Sequence, residues 1–355
     1  MSQTTKSTFP RTIGMDLGNR STSYCIVDSS GDHIREAELK TTTESMGEFL
    51  SSEPPSRVVI EASGPSRWVA ELAAKHGHKV IVANPREFKL ICASHRKTDR
   101  NDARILADFG QFRPQLLRPI KLRGLKCQLA RGILISRSHA VGQRTVLINL
   151  IRAQVRNLGE SLSDCSARVF HKTALARIPV ALRPTVEPLF SVLNSITEAI
   201  ATYDEEIKRM CEEDFKETAT LLQVNGVGPN TALAFVATIE DPSRFPKSRD
   251  VGAYVGLVSK SRSSGSKDPQ LRISKRGDKT LRRLLVTAAT YICGPRSSDS
   301  DLKRFGKRLQ DRGGQTARAK ARIAVARKLS VLLHRLLITG EVYEPLRNSG
   351  QAEAA

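Results

Sequence analysis

Residues 12–28 read TIGMDLGNRSTSYCIVD. Two short β-rich runs, TIGMDLG and STSYCIVD, are joined by Gly18-Asn19-Arg20, a composition suited to reversing the chain between strands. Downstream, IREAELKT (34–41) alternates as a third strand would, and RVVIEA (57–62) and KVIVAN (79–84) are compact apolar runs suited to buried strands. Between those two, SRWVAELAAKHG (66–77) has helical spacing at Trp68, Leu72 and Ala73, with Gly77 as a natural stop. A three-strand meander followed by strand–helix–strand predicts a mixed α/β sheet flanked by helices over residues 10–112.

The next segment, 113–215, lacks strand signals and reads as all-α. Leu189, Leu193, Ile196, Ile200, Tyr203, Ile207 and Met210 recur at spacings of four and three, a stripe of about three heptads. Its partner is the helix suggested over 135–158, as an intramolecular hairpin, or a second chain, as a coiled coil; one stripe does not choose between them. Pro179, Pro184 and Pro188 mark a break before it.

The third segment, 216–340, opens with LLQVNGVGPNTALAFVATI (221–239). Gly226 and Gly228 allow a tight turn that presents amides at a helix N-terminus, a helix-hairpin-helix-like element able to grip a phosphate. An ordinary helical turn fits the same spacing. A polar loop (260–270), a Lys/Arg-rich stretch from Lys247 to Arg283 and a final basic helix over 315–337 follow, and 341–355 reads as a disordered tail. The face made by Lys320, Arg322, Arg327 and Lys328 is either solvated or a backbone contact.

Lys and Arg number 57 against 36 Asp and Glu, a formal net charge of +21. That balance points to a polyanionic partner: nucleic acid first, an anionic membrane surface second, with a merely basic protein as the plain alternative. The six cysteines form no CxxC pair and sit in apolar stretches, which fits reduced thiols of a cytosolic protein. The polar start MSQTTKSTFPRT shows no signal-peptide core, and no run of about 18 apolar residues exists, so neither a signal peptide nor a membrane span is expected.

Against this basic background, carboxylates at special positions stand out. Asp16 is expected in the middle of the first strand and Glu61 at the end of the fourth. Asp99 and Asp102 lie in KTDRNDAR (97–104), three apart and so on one face of a helix. A carboxylate in a central strand is costly without a cation. Mg²⁺ is the expected one, with two ions held about 3.5–4 Å apart to serve an in-line phosphoryl displacement. Lys97, Arg100 and Arg104 then face a nucleic-acid backbone. Turn-forming and first-turn helix roles are the structural alternatives for these acids. The first hairpin also resembles the phosphate-binding hairpin of actin-like and sugar-kinase ATPases. Their second phosphate loop and glycine-rich adenosine site find no convincing counterpart here.

The loop SRSSGS carries Ser264 just before Gly265, with Arg262, Arg272, Lys275 and Arg276 as local cations. No histidine lies nearby, so a Ser-His-Asp triad is poorly supported. A serine attacking a phosphodiester, with arginines stabilising the developing charge, and a flexible Ser/Gly loop are the two readings.

GMDLG, VVIEASG and KTDRNDAR, in that order and spacing, resemble the DEDD-type transposases of bacterial insertion sequences, whose N-terminal domain is RuvC-like, that is, ribonuclease H-like. LLQVNGVGPNTALAFVATI, then RFPKSRDVGAYVGLVSKSRSSGS, then RISKRGDKTLRRLL resemble the C-terminal transposase domain of the same family. The resemblance covers roughly 12–110 and 218–292, joined by a helical linker. It implies that the acidic set falls on Asp16, Glu61, Asp99 and Asp102 and the catalytic serine on Ser264, with Ser263 immediately before it. It further implies a recombinase guided by a structured non-coding bridge RNA that pairs with donor and target DNA. The expected reaction passes through a covalent phosphoserine link, in a dimer to tetramer with composite active sites, in the bacterial cytoplasm at the nucleoid. A resolvase-like hydrolytic nuclease and a non-catalytic nucleic-acid scaffold are the alternatives.

Overall fold

The computed structural model describes residues 9–85, 98–162, 165–260 and 271–348. The chain forms two compact units, residues 1–123 and 124–355.

The first unit is built on a five-stranded sheet: β1 (Arg11–Leu17), β2 (Ser21–Asp28), β3 (His33–Lys40), β4 (Arg57–Glu61) and β5 (Lys79–Ala83). The order is β3-β2-β1-β4-β5. β1 runs antiparallel to β2 and parallel to β4, so the sheet is mixed, as the sequence predicts. The strand limits fall within about a residue of those expected, because each apolar run ends in turn-forming residues. The chain first builds outward from β1 through β2 and β3, then crosses to β1's other side for β4 and β5. The boundary between β1 and β4 is therefore the point where strand order reverses.

Alternation along the strands divides the buried residues between two faces. Ile13, Met15, Val58 and Ile60 share one core with Met46 and Leu50 of α1 (Thr43–Ser52) and with Val69 and Ala73 of α2 (Ser66–Lys75). Helix α1 is a feature the sequence reading did not assign. Its local signals are Thr42, whose Oγ1 accepts from Ser45 N at 3.3 Å as an N-cap, and Met46 and Leu50 four apart. The opposite face carries α3 (Asp99–Phe112), which lies over β1 and β2 and reaches β4. Gly14 permits this approach: a Cβ there would sit 2.3 Å from both Ala103 O and Ala107 N.

In the second unit, α4 (Leu125–Asn157) and α5 (Arg183–Arg209) pack against each other. Ile148, Ile151 and Val155 share a core with Val186, Phe190 and Leu193. Arg137 donates Nε and Nη2 to Asp204 Oδ1 and Oδ2 at 2.5 and 3.1 Å. The leucine–isoleucine stripe thus finds a partner in its own chain. Helix α4 starts ten residues before the expected 135, and α5 runs through Pro188 instead of starting after it. Pro184 sits in the first turn, where a missing N–H is harmless, and Pro188 removes one rung near that end while Val186 and Phe190, two residues to either side, are buried.

The longer of the remaining helices among the described residues are α6 (Pro229–Ile239), α7 (Lys279–Ile292), α8 (Asp301–Gln310) and α9 (Gly314–Thr339). They enclose a core that includes Phe235, Leu285, Leu329 and Leu333. Residues 341–348, which the sequence reading assigned to a disordered tail, are tied to this core. Asp301 N donates to Pro345 O at 2.8 Å, and Tyr343 N donates to Gln223 Oε1 at 2.9 Å. These bonds use backbone groups that no side-chain pattern advertises. Residues 349–355 lie outside the described residues.

Candidate active site

Asp16 is the sixth residue of β1, near its C-terminal end and not at mid-strand. Glu61 is the last residue of β4. The strands are parallel with Met15 paired to Ile60, so the two carboxylates follow side by side, on strands about 4.8 Å apart. They flank the point where strand order reverses, outside the carboxyl ends of the strands, where open α/β sheets bind ligands.

Helix α3 runs antiparallel to β1, and its contacts can be followed step by step. Thr12 Oγ1 donates to Gln111 Oε1 at 2.6 Å, and Gly14 abuts Ala103 and Ala107. On β4, Arg57 Nη1 donates to Gly110 O at 2.5 Å, and Val59 lies against Gly110. Two strand residues span about 6.6 Å, the rise of roughly four helical residues. The next step from Gly14 along the same face is Asp16, and the next turn back along α3 from Ala103 is the turn of Asp99 and Asp102. By the same alternation Glu61 shares the face of Arg57 and Val59. The strand ends carrying Asp16 and Glu61 therefore face the first turn of α3.

That turn is capped by Thr98, whose Oγ1 accepts from Asn101 N at 3.2 Å. Asp99 is exposed at the first helical position, whereas Asp102 is buried, 6% exposed. Both positions also suit the positive end of the helix dipole. All four side chains are carboxylates, the oxygen donors that hard divalent cations take.

The flanking cations divide. Arg100 is exposed at the start of α3. Arg104, expected to face a nucleic-acid backbone, instead grips Glu36 of β3, Nε to Oε1 at 2.5 Å and Nη2 to Oε2 at 2.6 Å. This pairing, foremost the hydrogen bond from Arg104, holds the Glu36 carboxyl below the usual range. Cys25, His33 and Glu36 bring potential metal-ligand atoms within 4.8 Å of one another. Burial, reinforced by Glu36, pushes the Cys25 thiol up to about 12, and Glu36 is already shared between Arg104 and His33. The cluster is thus a hydrogen-bonded brace: His33 Nε2 reaches Asp108 Oδ1 at 3.0 Å, tying β3 to α3 a second time.

Sequence reasoning missed Glu36, Arg57, Thr12 and Gln111, the residues that fix α3 in place. Arg57 alone left a trace, as a cation opening an otherwise apolar buried strand.

In the second unit, Gly226 adopts φ +91° in the turn before α6, and a Cβ there would press on Ile292 and Tyr291 of α7 at 3.0 and 3.1 Å. Gly228 is the exposed N-cap of α6 and faces open space. The GVG turn therefore combines a packing role with an open helix N-terminus. Lys260 N donates to Arg272 O at 3.0 Å and Ser274 N to Val258 O at 2.8 Å, which draws together the two ends of the serine loop. Ser263, Ser264 and Arg262 in that loop, and Lys97 before α3, lie outside the described residues. Arg272 and Lys275 line an open cleft of about 1220 Å³ with Lys320, Arg327 and Lys328 of α9, over apolar side chains such as Ile273 and Ile323. Arg276 is exposed next to Lys275.

Among the described residues, no helix is long and apolar enough to cross a membrane. Residues 13–159 match a family described as transposase, the IS110-type DEDD domain. Residues 218–319 match the family described as "Transposase IS116/IS110/IS902 family". The chain is 28% identical to the transposase for insertion sequence element IS1111A of Coxiella burnetii, over 93% of this chain and 90% of that one. It is 26% identical to a probable family 20 transposase of Pseudomonas aeruginosa, over 94% and 98%. With the transposase for insertion sequence element IS1328 of Yersinia enterocolitica it shares 29% identity, over 78% and 82%.

Proposed function

We propose, for a chain that belongs to the IS110/IS116 family of insertion-sequence transposases, that it cuts and rejoins DNA with Asp16, Glu61, Asp99 and Asp102 holding Mg²⁺ and Ser264 as nucleophile. The observation that supports this most is the arrangement at the reversal of strand order: two carboxylates at adjacent parallel strand ends, opposite a helical turn carrying two more. The mixed sheet and its strand order support a ribonuclease H-like reading of the first unit. The donor set fits the ion, being carboxylate oxygen throughout and partly exposed. A pair of ions bound there would stabilise the attacking and leaving oxygens of a phosphoryl displacement.

The chain's own residues do the rest. Asp102, buried on a braced helix, sets the geometry of the acidic set, and exposed Asp99 leaves room for a phosphate beside it. Ser264 Oγ loses its proton and bonds to phosphorus, the bridging P–O bond to the departing sugar breaks, and that oxygen takes a proton. Arg262 and Arg276 offset the charge that develops on the phosphate. A structured RNA supplies sequence by base pairing, while the protein reads backbone and shape. The acting form is a dimer to tetramer in the bacterial cytoplasm, at the nucleoid.

The test is strand cleavage of supercoiled DNA by the full chain with its co-purified RNA, with and without Mg²⁺. Asp16→Asn and Asp102→Asn should each fall below about 1% of wild-type cleavage at unchanged melting temperature. Denaturant-quenched wild-type reactions should contain DNA covalently attached to protein, and Ser264→Ala should yield neither adduct nor product. Cleavage without an adduct that persists in Ser264→Ala would replace the serine step with hydrolysis by water. Cleavage unaffected by Mg²⁺ removal or by both Asp variants would reject the acidic site.

A further inference from the structure

Helices α4 and α5 and the chain between them carry a cation cluster that the proposed chemistry does not use. Arg137 and Arg144 lie two turns apart on one side of α4. Arg168 precedes the helical turn Phe170–Thr173, which carries His171 and Lys172. Phe170 is fully buried in the core shared by Ile148 and Ile151 of α4, and Arg152 lies over its ring at 5.4 Å, so this turn is fixed against α4.

Two polar atoms of the cluster, Arg144 Nε and His171 Nδ1, are buried without a hydrogen-bond partner. Buried polar atoms are almost always paired, and an orphaned donor beside further cations asks for an anion. The nearby carboxylates are engaged: Asp204 is held by Arg137 at 2.5 Å, and Glu198 accepts from Asn194 Nδ2 at 2.8 Å. Burial foremost, then the charges of Arg137 and Arg168, works against the Arg144 cation, and burial and Lys172 do the same to protonated His171.

We propose that Arg144, Arg168 and His171 form an anion site on the helical arm that takes one backbone phosphate of a nucleic acid. A guanidinium offers Nε and Nη donors in the fork that matches two phosphate oxygens, and His171 Nδ1–H supplies a third donor. Lys172 and Arg168 are exposed at its rim, where a backbone can pass. The site requires neither the acidic set nor Ser264, so its failure and theirs are separable.

The test measures binding of the full chain to a labelled DNA duplex and a labelled RNA hairpin across a salt series. Arg144→Gln should lower the slope of log affinity against log salt by about one, the value for one lost phosphate contact. The probe that shows the loss identifies the source of the phosphate. Arg156→Gln removes the same charge from an exposed position on the same helix and should leave the slope unchanged. In parallel, inorganic phosphate should raise the melting temperature of the wild type and not of Arg144→Gln. Equal effects of the two variants, or no effect of Arg144→Gln on either probe, would overturn the proposal. So would a lower melting temperature of Arg144→Gln in phosphate-free buffer, which would make Arg144 a structural residue.

Discussion

Gly14 shows what one residue contributes here. It sits in the strand that carries Asp16, under the helix that carries Asp102, and the helix backbone occupies the space a side chain would need. Gly14→Ala forces backbone apart and should cost at least about 2 kcal/mol in urea unfolding, within the range for overpacked cores. Because the displaced element is α3, cleavage should fall further than the stability loss explains. Gly132, inside α4, meets nothing within 4 Å of its added Cβ, so Gly132→Ala should instead stabilise by about 0.5–1 kcal/mol. The opposite signs of the two substitutions, read from urea midpoints, separate a glycine required by close approach from one that is merely tolerated.

At the scale of the element, α3 is held at several places along its length. Arg57 binds Gly110 O near its C-terminal end, Asp108 meets His33, and Arg104 clasps Glu36 nearer its start. Arg104 holds the Glu36 carboxyl below its ordinary value near 4.5, so the folded state favours the carboxylate. The resulting stabilisation is fully present above the unfolded value and is lost as pH falls through the folded one. Glu36→Gln should therefore melt below wild type at neutral pH, and the gap should close as pH drops below about 4.5. A gap independent of pH would mean that the ion pair does not brace the helix. The brace matters for function because the first turn of α3 must stay opposite the strand ends.

For the whole molecule, charge is the governing quantity. A net +21 ensures long-range attraction to any polyanion, so affinity falls as salt rises. The cleft in the second unit concentrates part of that charge: Arg272 and Lys275 come from the end of the serine loop, and Lys320, Arg327 and Lys328 from α9. Arg272→Ala and Lys275→Ala should each lower the salt slope of DNA binding by about one if each meets a phosphate. Unchanged slopes in both variants would assign the cleft to some other ligand. The α5 stripe packs on α4 of the same chain, with Leu193, Ile200 and Ile207 buried and Leu189, Ile196 and Tyr203 half-buried.

The five strands, their approximate limits and Glu61 at a strand end were legible in the residues themselves, whereas Asp16 lies nearer its strand end than expected. Short apolar runs bounded by turn formers have few alternatives to buried strands, and a carboxylate beside such a run is conspicuous. The helical character of the rest followed from periodicity in the same way. Tertiary structure alone decided which chain the stripe packs on, that α5 passes through Pro188, and that Arg104 belongs to Glu36. It alone aligned α3 antiparallel to β1, so that residues 16, 61, 99 and 102 come to one end of the sheet. The physical reason is range: propensity and periodicity act over a few neighbours along the chain, whereas partner choice, close approach and convergence of charge depend on contacts between residues far apart in sequence.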